Sequence, residues 1–146
     1  MKKIISVIML VGLLLTACDT TSSDNGELDG MWYLTKVDTL SNGHSADYRS
    51  QRVFGSFQGT LAQFTYGDGE NHYYMSRFDH NASRLKLSGL FFYNRSEGDR
   101  ILDSETLDEV RPFGINNLNE DYMVKSLDED KMTLQDDELC LHFEKY

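Results

Sequence analysis

The residues that could do chemistry are few and scattered along the chain. His44, His72, His80 and His142 fall in separate stretches, and no His/Cys cluster has the spacing of a zinc site. Asp79-His80 could supply two ligands, but it lies at a turn, where such residues face solvent. Gly67-Asp68-Gly69-Glu70-Asn71 carries oxygen ligands without the length or order of an EF-hand loop, and reads as a plain turn. Two acidic runs, Asp128-Glu129-Asp130 and Asp136-Asp137-Glu138, resemble a carboxylate pair on paper. As consecutive turns of a meander they fall at opposite ends of a sheet, so they cannot share one site. A nucleophile elbow, a P-loop and a dinucleotide fingerprint are all missing from the sequence. The expectation is a protein that is not an enzyme, with no metal and no cofactor.

What remains is an aromatic set: Trp32, Phe64, Tyr73, Tyr74, Phe78, Phe91, Phe92 and Tyr93. One reading is core packing, because a small β domain must fill its interior with side chains. The other is that Phe64, Tyr74, Phe78, Phe91 and Tyr93 line a cavity for a small, partly apolar ligand, with tyrosine hydroxyls fixing its orientation.

The N-terminus addresses location. Lys2 and Lys3 precede a short apolar run from Ile4 to Leu14, followed by Leu15-Thr16-Ala17-Cys18. That is the anatomy of a secretory signal, too short for a span of about 20 residues. Its last four residues resemble the bacterial lipobox, in which the cysteine is acylated after cleavage. Residues 1–17 are thus expected to be a lipoprotein signal, and acylated Cys18 the contact with the lipid bilayer of the cell envelope, most simply the outer membrane. Residues 18–27 are polar and read as a tether, leaving 28–146 as one domain. The full chain carries a net charge of −10, and losing Lys2 and Lys3 makes it more acidic. Such a surface repels nucleic acid. Cys140 would then be the only other cysteine, which rules out a disulfide framework and suggests a small wall residue.

Within the domain, short segments rich in aromatic and β-branched residues alternate with turn signals, and no long helical period appears. Strands are expected near 31–38, 52–57, 60–66, 72–79, 84–93, 122–127, 131–135 and 139–145. Gly89 suggests a bulge inside the long fifth segment. Leu139, Leu141 and Phe143 alternate with Cys140, His142 and Glu144, the pattern of a strand wet on one face. Between residues 94 and 121 the pattern blurs. Pro112 limits any helix there to about one turn, and Phe113-Gly114-Ile115 is expected to touch the core. Asn81-Ala82-Ser83 and Asn94-Arg95-Ser96 match glycosylation sequons, which beside a lipobox mark only loops. The fold class is all-β: an antiparallel, up-and-down barrel of about eight strands, with a short helix or loop over 94–121.

The lipobox, the polar tether, Gly30-x-Trp32 on the first strand and the terminal run Leu139-Cys140-Leu141-His142-Phe143-Glu144-Lys145-Tyr146 together resemble the lipocalin-like lipoproteins of Bacteroidetes. The resemblance implies an eight-stranded barrel with a ligand cavity at its open end and Trp32 at its closed end. It also implies a basic residue packed across that tryptophan, with Lys145 the first candidate and Arg111 the second. The expected function is a membrane-anchored protein binding a small, partly apolar ligand; the alternative is a filled barrel acting as a protein or glycan interaction module.

Overall fold

The computed structural model describes residues 23–70 and 72–146; the expected signal segment 1–17 and the lipidation site Cys18 lie outside the described residues. Ten strands form one antiparallel sheet: β1 (Gly30–Thr39), β2 (His44–Asp47), β3 (Val53–Gln58), β4 (Leu61–Tyr66), β5 (Tyr73–His80), β6 (Arg84–Tyr93), β7 (Arg100–Ile101), β8 (Glu120–Leu127), β9 (Lys131–Gln135) and β10 (Leu139–Lys145). The order β1-β3-β4-β5-β6-β8-β9-β10 returns to β1 through the β10–β1 pairing, so eight strands close into a barrel with no free edge. The short strands β2 and β7 cover the far halves of β1 and β6. The barrel is the fold the alternation predicts: Leu141 and Phe143 of β10 are buried, while Cys140 and His142 point outward.

Bulges set which residues face in. In β6 the pairing runs from Arg77↔Ser88 to Met75↔Phe91, so Gly89 and Leu90 together oppose Ser76. Gly89 has φ +62, a conformation that costs glycine little. The extra residue inverts the alternation: Leu85 and Leu87 face the core before it, and Leu90 takes the inward position after it. A second extra residue, Thr35 in β1, lies between the rungs Leu34↔Phe143 and Lys36↔His142.

The end of the barrel where β1 begins is closed by Trp32, which has no solvent exposure. Its indole N–H donates to the Leu28 carbonyl at 2.8 Å, and the Lys145 ammonium stands 4.2 Å from the ring centroid. Lys145 also donates to the carbonyl oxygens of Glu27 and Asp29, so its charge is satisfied while its stem covers the ring. Gly30 leaves room for this: a Cβ there would lie 3.2 Å from Lys145 Cε. Arg111 is at the other end of the molecule, paired with Asp108 at 2.6 Å. Of the expected tether 18–27, residues 23–27 are described and lie against the barrel. Ser23 accepts from the Gly59 backbone N–H at 2.6 Å, and the Asn25 amide donates to the Gly59 carbonyl at 3.0 Å, pinning 23–27 to the barrel end.

The opposite mouth is stoppered by the segment between β7 and β8. Single 3-10 turns at Leu107–Glu109 and Arg111–Phe113 replace any longer helix, with Pro112 inside the second. Leu102, Val110, Phe113 and Ile115 are buried in the mouth. Phe113 packs against the rings of Tyr66, Tyr74 and Phe64 at 4.8, 5.7 and 5.9 Å. The plug is hydrogen-bonded as well as packed. Tyr122 donates to the Gly114 carbonyl at 2.8 Å, and the buried Glu120 carboxylate accepts the backbone N–H groups of Asn116 and Asn117 at 2.9 and 3.0 Å. Burial still holds the Glu120 carboxyl above the usual carboxylate range.

Gly114 is where the plug comes closest to the wall. Its φ is +80, and a Cβ would sit 2.6 Å from a methyl of the buried Leu141. Gly114→Ala is therefore expected to lower stability by about 2–3 kcal/mol, from backbone strain plus overpacking. A urea melt would show it as a lower midpoint, and an unchanged midpoint would contradict this account of the plug.

Candidate functional site

With the plug seated, the space left among Phe57, Phe64, Leu85, Phe113, Leu134 and Leu141 is about 10 Å³, room for no more than a single water. The aromatic residues expected to line a cavity separate accordingly. Phe64 and Phe78 are core residues, each packed edge-on against Phe57 at 6.4 and 5.4 Å. Tyr74 lies just inside the mouth. Phe91 and Tyr93 do not face the interior at all. The Gly89 bulge turns both outward, where Phe91 stands in a row with Met75 and the highly exposed Ile101.

The larger opening lies on the rim, at the top of β5 and β6. A cleft of about 590 Å³ is lined by His72, Tyr73, Phe92, Tyr93, Asn94, Arg95 and Ser96, within the size range of small-molecule sites. Three elements build it. The paired strands place Tyr73 opposite Tyr93 and Tyr74 opposite Phe92. The turn after β6 supplies the polar side, and β7 anchors Phe92 from beyond through the Phe92↔Arg100 rung.

Phe92 is held from three directions: the Tyr74 ring at 5.4 Å, the His72 ring at 5.9 Å and the Arg100 guanidinium at 5.5 Å. Below it, Glu109 on the plug accepts from Arg100 at 2.7 Å and from the Tyr74 hydroxyl at 3.1 Å. Burial, and then the Glu109 carboxylate, push the Tyr74 phenol up to about 12, so it stays a neutral donor at any physiological pH. This group ties the floor of the cleft to the stopper of the barrel.

The polar side is ordered by Asn94, whose side-chain oxygen accepts from the Ser96 backbone N–H at 3.0 Å and from its hydroxyl at 2.8 Å. Arg95 donates to the Tyr93 hydroxyl at 2.5 Å, with its guanidinium 5.8 Å from that ring. Aromatic rings together with a cation and hydroxyl groups can hold a flat or partly apolar molecule and orient its polar end. Of the residues expected to bind ligand, only Tyr93 lines this cleft. Tyr73 and Phe92 belong to the aromatic set that the sequence singles out, whereas His72 reads there only as a strand end and Asn94, Arg95 and Ser96 only as a loop.

A family model described as a lipocalin-like domain matches residues 13–146. No curated protein matches the sequence. Three solved structures share the fold at low identity. A lipocalin-like protein from Bacteroides uniformis is 18% identical with a TM-score of 0.61, over 83% of this chain and 100% of that one. An uncharacterized protein from Bacteroides eggerthii is 16% identical with a TM-score of 0.57, over 82% of this chain and 99% of that one. A protein from Burkholderia xenovorans is 14% identical with a TM-score of 0.52, over 81% of this chain and 82% of that one.

Proposed function

The chain belongs to the lipocalin-like family, and on that premise we propose that it is a lipid-anchored envelope protein binding a small, partly apolar ligand on the rim of a filled barrel. One contrast carries the reading: about 590 Å³ of aromatic-walled cleft on the rim against about 10 Å³ among the core side chains beneath the plug. In this arrangement the barrel is a rigid frame, and the rings of Phe92 and Tyr93 both line the cleft. Arg95 and Ser96 select a ligand with a polar or anionic end. The anchor rests on Leu15-Thr16-Ala17-Cys18, and acylated Cys18 would hold the domain at the membrane surface.

A second reading, a protein or glycan interaction module, is favoured by the outward row Met75, Phe91 and Ile101 beside the cleft. Ile101 is 79% exposed, unusual for an isoleucine with no partner to bury it.

Native mass spectrometry separates the two. The full chain, extracted gently from its host membrane, is expected to carry a small non-covalent mass that is lost on denaturation. Phe92→Ala should weaken retention by about tenfold, the loss of roughly 1.4 kcal/mol of stacking and packing. The same mass retained in full by Phe92→Ala would contradict the rim cleft. A clean mass for both proteins would favour the interaction module.

A further inference from the structure

We propose that Asp38, Cys140 and His142 form a binding site for a transition-metal ion of the zinc class, on the outer wall of β1 and β10. These strands lie across the barrel from β5 and β6, so the site is independent of the rim cleft. The juxtaposition follows from register. Asp38 is paired with Cys140, and Lys36 with His142, on adjacent outward rungs of the two strands. Leu141 takes the inward position between Cys140 and His142, and Val37 does the same beside Asp38. The Thr35 bulge sets this phase; without its extra residue Asp38 would face the core. Thr35 also fixes the rung, donating its hydroxyl to the His142 carbonyl at 3.1 Å.

One ligand atom from each of the three side chains lies within 4.8 Å of the other two. Bonds of about 2.0–2.3 Å in a tetrahedral site put ligand atoms roughly 3.5 Å apart, so side-chain rotation of about an ångström brings them to bonding distance. All three side chains are half-buried, shielded from full hydration yet open on one side for a water or a fourth ligand.

The carboxylate is already oriented for the task. Ser45 on β2 donates to Asp38 Oδ1, leaving Oδ2 directed at His142 Nε2, 2.7 Å away. An outer hydrogen bond of this kind holds a ligating carboxylate in place. Lys36 lies 3.1 Å from the same Oδ2, but its side chain is 44% exposed and can swing into solvent when an ion enters. The donor set names the class of ion. A thiol and an imidazole suit zinc, cobalt and related ions, whereas magnesium and calcium need oxygen donors. Cys140 is thus more than a small wall residue.

Cobalt(II) titration of the full chain tests the site, because a cobalt–thiolate bond has a near-ultraviolet charge-transfer band and tetrahedral geometry gives intense visible bands. The expected result is both sets of bands, saturating at one equivalent and bleached by added zinc. Cys140→Ser should abolish the near-ultraviolet band, and Asp38→Asn and His142→Gln should each weaken cobalt by about tenfold or more. Circular dichroism of the metal-free variants checks that each is folded, and the conservative changes at outward positions make three independent tests. No band in the parent protein would overturn the proposal, as would a band that survives Cys140→Ser through another thiol.

Discussion

Phe113→Ala is expected to cost about 3–5 kcal/mol, the range for a large aromatic removed from a core that cannot collapse around the gap. Phe113 is 3% exposed and packs its ring against those of Phe64, Tyr66 and Tyr74 together. Those three stand on β4 and β5, strands held in register on both sides. The wall therefore keeps its shape, and the vacated volume remains as a cavity. Denaturant titration should show a lower midpoint at nearly constant slope, with the variant gaining an apolar gas or benzene site that the parent lacks. A loss under about 1 kcal/mol would mean that the plug is loosely seated and that the barrel can admit ligand.

Trp32→Ala is expected to be comparably severe, at about 3–5 kcal/mol, at the other end of the barrel. Three separate contacts fail at once. The buried ring volume is emptied, the Leu28 carbonyl loses its donor, and the Lys145 ammonium loses the ring beneath it. A loss of this size approaches the whole stability of many small domains, so the variant should be largely unfolded at growth temperature. Trp32→Phe separates the parts, since it restores apolar volume and leaves Leu28 unpaired, with an expected cost of about 1–3 kcal/mol. Equal stability of Trp32→Phe and the parent would show that the indole hydrogen bond adds nothing.

Much of this architecture was readable because it follows period two. Leu139 to Glu144 alternate cleanly, and the structure keeps their faces as the sequence implies. Trp32 and Lys145 lie 113 positions apart with no local pattern to join them, so only the family resemblance links them. The outward turn of Phe91 and Tyr93 has one cause. A single left-handed glycine at 89 inserts a residue into β6 and reverses every face after it. Gly89 suggested a bulge, but the parity of the later residues depends on which partner it opposes, and that is a tertiary fact. The plug was opaque for a different reason. Leu102, Val110, Phe113 and Ile115 follow no strand or helix period, because they fill a mouth whose shape is set by other strands. The rim cleft was hidden in the same way, assembled from a strand end, a turn and a cation on β7. Period two already places Cys140 and His142 on one face, but Asp38 joins them only through the β1–β10 register, which no spacing along the chain reveals.

The most direct test of a filled barrel with a working rim is chemical-shift mapping on the labelled protein. The probe is the co-purified small molecule or, where none is retained, anilinonaphthalene sulfonate, an aromatic anion of suitable size. The account predicts shifts concentrated at residues 72–73 and 92–96, with the methyl groups of Leu85, Leu134 and Leu141 unmoved. Shifts of those three methyls together with the Phe113 ring, and a quiet rim, would place the ligand inside the barrel and contradict it.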